Sequence, residues 1–159
     1  MKYSIEVISP QTRPFVDQQI AESWAGPFVV SRETLHDTRI QPGFAAIADG
    51  EVIGYAQYNI ASDNCEIIVL ESMRQNQGVG SALINEVIRT AREASCRRVW
   101  LVTTNDNTHA IRFYQRFGFA LGAVRLNAMD AARRLKPQIP MTGDDGIPMQ
   151  HEFEFEITL

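Results

Sequence analysis

Two short stretches carry residues able to do chemistry. The first is Gln75-Asn76-Gln77-Gly78-Val79-Gly80. It lies between an apolar run, Cys65 to Leu70, and an amphipathic stretch, Gly78 to Ala94. A loop that opens a helix offers unpaired backbone N–H groups and the positive end of the helix dipole to an anion. Glycines at 78 and 80 let the backbone approach a pyrophosphate with no Cβ in the way. Gln75, Asn76 and Gln77 add side-chain donors. The second stretch is Asn107-x-x-Ala110-x-x-Phe113-Tyr114-x-x-x-Gly118-Phe119. Asn107 suits a helix cap. Tyr114 stands beside Phe113 and Phe117 as an aromatic with one polar end.

The elements that must hold these stretches can be read from periodicity and breakers. Tyr3 to Ile8 alternates and reads as a strand, and Pro14 to Trp24 as a helix with proline in its first turn. Gly26-Pro27 stops that helix. Ser31 to Thr38 is expected to be a short second helix capped by Ser31. Phe44–Ala48 and Val52–Ile60 are strands joined by Asp49-Gly50, a strong hairpin signal. Cys65–Leu70 is almost continuously apolar, which places it centrally in a sheet. In Gly78–Ala94, Val79, Leu83, Val87 and Ala91 recur along one helical face. Next come strand Arg98–Thr103, helix Asn107–Phe117 ended by Gly118, strand Phe119–Leu126 and helix Asn127–Lys136. Pro137 to Gln150 reads as a loop. Glu152 to Leu159 alternates, with Phe153, Phe155 and Ile157 on one face and Glu152, Glu154 and Glu156 on a solvated other. Hairpins and crossovers alternate, so a mixed sheet with helices on both faces is expected.

Together the two stretches resemble the GNAT superfamily of acetyltransferases. The first is similar to its acyl-coenzyme A pyrophosphate loop, the second to its other cofactor element with a tyrosine. The resemblance covers Phe44 to Phe119 best. It implies an α/β fold of the α+β type, a mostly antiparallel twisted sheet of about seven strands with helices on both faces. It implies acetyl-CoA as co-substrate and an amine acceptor, of a small molecule or of a peptide. Cofactor contacts fall to Leu70, Gln75, Gln77, Gly78, Val79, Gly80, Ser81, Asn107, Ala110 and Tyr114. Tyr114 is the general-acid candidate. A backbone N–H near the strand end, such as that of Leu70, would polarise the thioester carbonyl. The general base stays open between Glu66, Glu71 and a water relay. In a regular strand Glu66 and Glu71 point to opposite faces; a bulge changes that. The acceptor is expected to lie against the variable parts, Trp24 to Arg39 and Pro137 to Gln150. Proteins that look like this are commonly homodimers.

Other classes fare worse. No Gly-x-x-x-x-Gly-Lys-Ser/Thr occurs. Gly78-Val79-Gly80-Ser81-Ala82-Leu83 begins like a dinucleotide fingerprint, but Leu83 replaces the third glycine and the next strand ends without a ribose-binding acid. A binding module that holds acyl-CoA without turnover remains the non-catalytic alternative. The chain has 159 residues and a formal net charge of −4. That size suits one domain spanning 1–159, and that charge argues against coating nucleic acid. Nothing in the sequence is a membrane span or a signal peptide, so the cytoplasm is the expected compartment. Cys65 and Cys96 read as buried free thiols. His36, His109 and His151 lack metal-ligand spacing, and no metal is expected.

Overall fold

The computed structural model describes residues 2–159. Seven strands form one twisted sheet: β1 (Ser4–Val7), β4 (Gly43–Ala48), β5 (Glu51–Ala61), β6 (Asn64–Ser72), β7 (Arg98–Thr104), β8 (Ala120–Arg125) and β9 (Glu152–Thr158). Their order across it is β1-β4-β5-β6-β7-β9-β8. Strands β2 (Phe28–Ser31) and β3 (Thr34–Asp37) make a separate hairpin. Only β6 and β7 pair in parallel; every other neighbouring pair is antiparallel. Strand β6 is fourth of the seven, the central position its apolar run demanded. The GNAT-like sheet expected from the sequence is present.

Four helices cover the sheet: α1 (Arg13–Ser23), α2 (Val79–Glu93), α3 (Thr108–Phe117) and α4 (Ala128–Leu135). Strand alternation assigns them to faces. Ala46, Ala56 and Ile67 meet α2 through Val79, Leu83 and Val87, and Tyr114 of α3 joins the same cluster. Ala45 and Tyr55, next to Ala46 and Ala56, face the other way together with Val69, onto Val16 and Ile20 of α1. Leu83 is fully buried. Leu83→Ala leaves a cavity under α2 and is expected to cost about 2–5 kcal/mol in a urea titration. No helix among the described residues is long and apolar enough to cross a membrane.

Ser31–Thr38 is not a helix. Its residues form the β2–β3 hairpin, turning at Arg32 and Glu33 with φ of 47° and 62°. Neither is a usual residue for a left-handed turn. Tertiary contacts hold it: the Arg32 guanidinium lies 5.3 Å from the Trp100 ring centroid and 3.8 Å from Glu154. Such contacts override the local preference for helix.

The glutamate face of β9 is not solvated. Glu152 and Glu154 are buried. Arg98 donates to Glu154 at 3.0 Å and to Glu156 at 2.5 Å, and Arg125 donates to Glu154 at 2.5 Å. Burial alone would raise the Glu154 pKa; the Arg125 and Arg98 hydrogen bonds outweigh it and hold the carboxyl below its ordinary range.

One irregularity breaks the sheet near its centre. Gln57 of β5 pairs with Val69 and the next residue, Tyr58, with Ile67. Ile68 is therefore an extra residue, a bulge within β6. Beyond it the strand turns away from β7, and the parallel ladder stops after Glu66 opposite Trp100. The two strands splay, and backbone groups on that edge of β6 lose their ladder partners.

Candidate active site

The splay opens two cavities that meet. A groove of about 720 Å³ runs along the start of α2 and the flank of α3. A second cavity, about 670 Å³, lies between the diverging ends of β6 and β7. Four residues line both: Leu70, Asn107, Ala110 and Tyr114. All four belong to the set singled out in the sequence. The β6 strand end and the tyrosine helix thus form one wall with a different space on either side.

The amino end of α2 suits an anion. Gly78 has φ of 75°, a left-handed turn that favours glycine, and its carbonyl accepts from Ala82 N at 2.9 Å. No side chain caps this helix. The first N–H groups therefore remain for a ligand. Helix α3 differs: Asn107 Oδ1 accepts from Ala110 N at 3.1 Å. A Cβ on Gly80 would come within 3.1 Å of Phe113 Cζ. Hydrogen at that position lets α2 and α3 approach and keeps the groove floor smooth. Gln75, Asn76 and Ser81 line this groove as well. Gln77 does not; its carbonyl faces the Tyr3 hydroxyl at 3.5 Å.

Three arginines, Arg74, Arg112 and Arg116, stand outside the set of cofactor residues expected from the sequence. All three line the groove. Spacing along α3 gave a signal, since residues 112 and 116 share the helix side next to Phe113. Positive side chains around an uncapped helix start complement phosphate charge.

Tyr114 is 9% exposed and packs edge-on against Phe113 and Phe119, with ring centroids at 5.5 and 5.6 Å. Burial raises its phenol pKa. It stays protonated at physiological pH, the state a proton donor needs.

The bulge places Glu66 and Glu71 on the same sheet face, because the extra residue reverses the alternation between them. They face opposite directions only in a regular strand. Their surroundings differ nonetheless. Glu71 lines the groove, and its carboxylate accepts hydrogen bonds from Tyr55 Oη and, at 3.2 Å, from Ser23 Oγ. Glu66 lines neither cavity. It is 7% exposed, lying under the hairpin. Ser31 Oγ donates to it at 2.5 Å, and His36 Nε2 lies 3.4 Å from its other oxygen. Burial, opposed by the Ser31 hydrogen bond and by Arg32, pushes the Glu66 carboxyl up to about 7. Burial lowers the His36 pKa, which favours a neutral ring.

Stability against pH checks the state of Glu66. The unfolded carboxyl ionises near 4.5 and the folded one near 7. The folded chain binds the proton more tightly. This contribution to stability is full below pH 4.5, falls between 4.5 and 7, and is gone above 7. Each pH unit in that interval is worth about 1.4 kcal/mol. Glu66→Gln keeps the Ser31 hydrogen bond without the titration. Relative to this variant, the wild type is expected to lose about 3 kcal/mol from pH 4.5 to 7 in denaturant titrations, then run parallel.

The second cavity is bordered by both stretches in which the acceptor was expected: Trp24, Val29 and Val30 from one side, Gln138, Ile139 and Pro140 from the other. Lys136 and Asp106, which sequence reasoning did not select, line it too.

Comparison with known proteins agrees with this geometry. The model of the acetyltransferase (GNAT) family matches residues 11–119. The chain belongs to that family. GNAT membership makes it an acyltransferase. This GNAT chain is 43% identical over 136 residues to the Bacillus subtilis protein YdhI, covering 85% of each. It is 30% identical over 82 residues to a B. subtilis spermine/spermidine N(1)-acetyltransferase, covering 45% of this chain and 54% of that one. The fold matches a GNAT acetyltransferase from Elizabethkingia anophelis with acetyl-CoA bound, at a TM-score of 0.70 and 18% identity over 99% of this chain and 98% of that one.

Proposed function

We propose that the protein is an N-acetyltransferase that moves an acetyl group from acetyl-CoA to the primary amine of a small molecule. The single observation that carries this reading is the shared wall of the two cavities. It allows two substrates to enter from opposite sides and meet at Leu70 and Tyr114. The α2 amino end, the glycines at 78 and 80 and the surrounding arginines suit the pyrophosphate arm, and the relative that binds acetyl-CoA has the same fold. A small-molecule acceptor suits a cavity of about 670 Å³.

Acetyl-CoA supplies the acyl group as a thioester. The chain's residues do the rest. Val79, Gly80 and Ser81 donate backbone N–H groups to phosphate oxygens. The Leu70 N–H, on the β6 edge freed by the bulge, stabilises negative charge on the carbonyl oxygen. Tyr114 donates its proton to the departing thiolate. The amine must lose a proton before it attacks, and Glu71, at the groove wall, is better placed than Glu66 to take it, directly or through water. No protein nucleophile is required, because the acceptor attacks directly.

The test is coenzyme A release from acetyl-CoA across a panel of primary amines. Acceptor-dependent release supports the reading. Tight binding of acetyl-CoA with no release for any small or peptide amine selects the binding module instead.

A further inference from the structure

Lys136 is the most unusual charge in the molecule. It caps the carboxyl end of α4, and its side chain is only 7% exposed. Its ammonium donates to the Trp24 carbonyl and, at 2.5 Å, to the Phe28 carbonyl. No carboxylate among the described residues lies within 4.0 Å of it. Buried charges are ordinarily paired. An ammonium has three donors, and two are spoken for. The residue lines the second cavity.

The acids lining the same cavity do not supply the missing partner. Glu22 and Asp144 are exposed, where water screens them. Asp106 Oδ2 accepts from Asp144 N at 3.2 Å. Glu152 has Arg125 at 4.0 Å. Lys136 thus lines the cavity without an ion-pair partner, and the two buried acids of the lining, Asp106 and Glu152, each keep one carboxylate oxygen without a hydrogen bond.

We propose that Lys136 anchors an anionic group of the acceptor, so that the substrate is a primary amine bearing a carboxylate, held by that end while its amino group faces Leu70 and Tyr114. This rests on the acetyl-transfer reading of the same cavity. The two carbonyls orient the ammonium, and the third N–H is left for the substrate. A diamine would bring a second positive charge to Lys136.

The test uses ω-amino acids of graded length, their carboxamides and the diamines of matched length, each assayed for coenzyme A release. In the wild type, the best amino acid is expected to exceed its own carboxamide by about tenfold or more in kcat/KM, the worth of one charged hydrogen bond. Lys136→Met abolishes that preference, and Lys136→Arg restores part of it. A carboxamide or diamine that matches or beats the amino acid in the wild type overturns the proposal, and that comparison needs no variant. So does a Lys136→Met protein slowed equally with every acceptor, which marks the residue as a staple between α4 and the α1–β2 connection. If the wild type acetylates nothing, the acetyl-transfer reading fails on its own. Calorimetric binding of the same acids and amides, with and without coenzyme A, then decides the anchor: a preference for acids lost in Lys136→Met supports it, and no preference overturns it.

Discussion

Tyr114→Phe lowers kcat for acetyl transfer by about 100-fold, the low end of what a positioned general acid contributes, while the KM for acetyl-CoA stays nearly unchanged. The ring is enclosed by Phe113, Phe119 and Phe155. Phenylalanine keeps those contacts, so the variant folds and binds, and only the hydroxyl is gone. The loss should shrink with a thioester whose thiol is more acidic, because such a leaving group needs less protonation. Steady-state rates with two acetyl thioesters of different thiol pKa make the measurement. Equal losses with both would remove Tyr114 from the chemical step and leave it a packing residue of the groove.

Gly80→Val weakens acetyl-CoA binding by about 30-fold or more. A Cβ there already meets the end of the Phe113 ring at 3.1 Å, and valine adds two methyls. The ring is pushed, α2 and α3 separate, and the backbone donors of the first α2 turn no longer converge on the phosphates. Loss of one hydrogen bond to a charged oxygen costs about 1.5–3 kcal/mol, which spans this factor. Overpacking also lowers stability, by about 1–3 kcal/mol. The double variant Gly80→Val with Phe113→Leu separates the two effects. Stability should return while affinity stays low, because the methyls still occupy the groove. Full recovery of both in calorimetry would mean that the groove floor tolerates a side chain.

The parts legible in the sequence were those written locally. A glycine pair before an amphipathic helix states its own geometry, and Val79, Leu83 and Val87 point into the core as their spacing requires. Asp49-Gly50 turns a hairpin as that dipeptide does. What escaped was written elsewhere in the chain. Arg32 and Glu33 turn left-handed because Trp100 and Glu154, distant in sequence, receive the arginine. The glutamates of β9 alternate like a wet strand face, and only the fold brings Arg98 and Arg125 over them. Ile68 gives no sign of being supernumerary, since Cys65 to Leu70 reads equally well as a regular strand; its register depends on β5. Lys136 looks like any lysine at the end of a helix. Its isolation arises from the Trp24 and Phe28 carbonyls, which no local pattern connects to it.

The interruption between β6 and β7 also bears on how the molecule opens. Only three residue pairs, Asn64–Arg98, Cys65–Val99 and Glu66–Trp100, carry the ladder across the middle of the sheet. On one side lies an antiparallel meander with α1 and α2, on the other β7, β8 and β9 with α3. A sheet joined this way has a seam, and the seam is where sub-global opening should begin. Amide hydrogen exchange is expected to divide the protein along it, with β4 and β5 slowest. Any ligand that touches both α2 and α3 ties the two sides together. Its binding should slow exchange far from the groove, on amides it never contacts, in proportion to its occupancy.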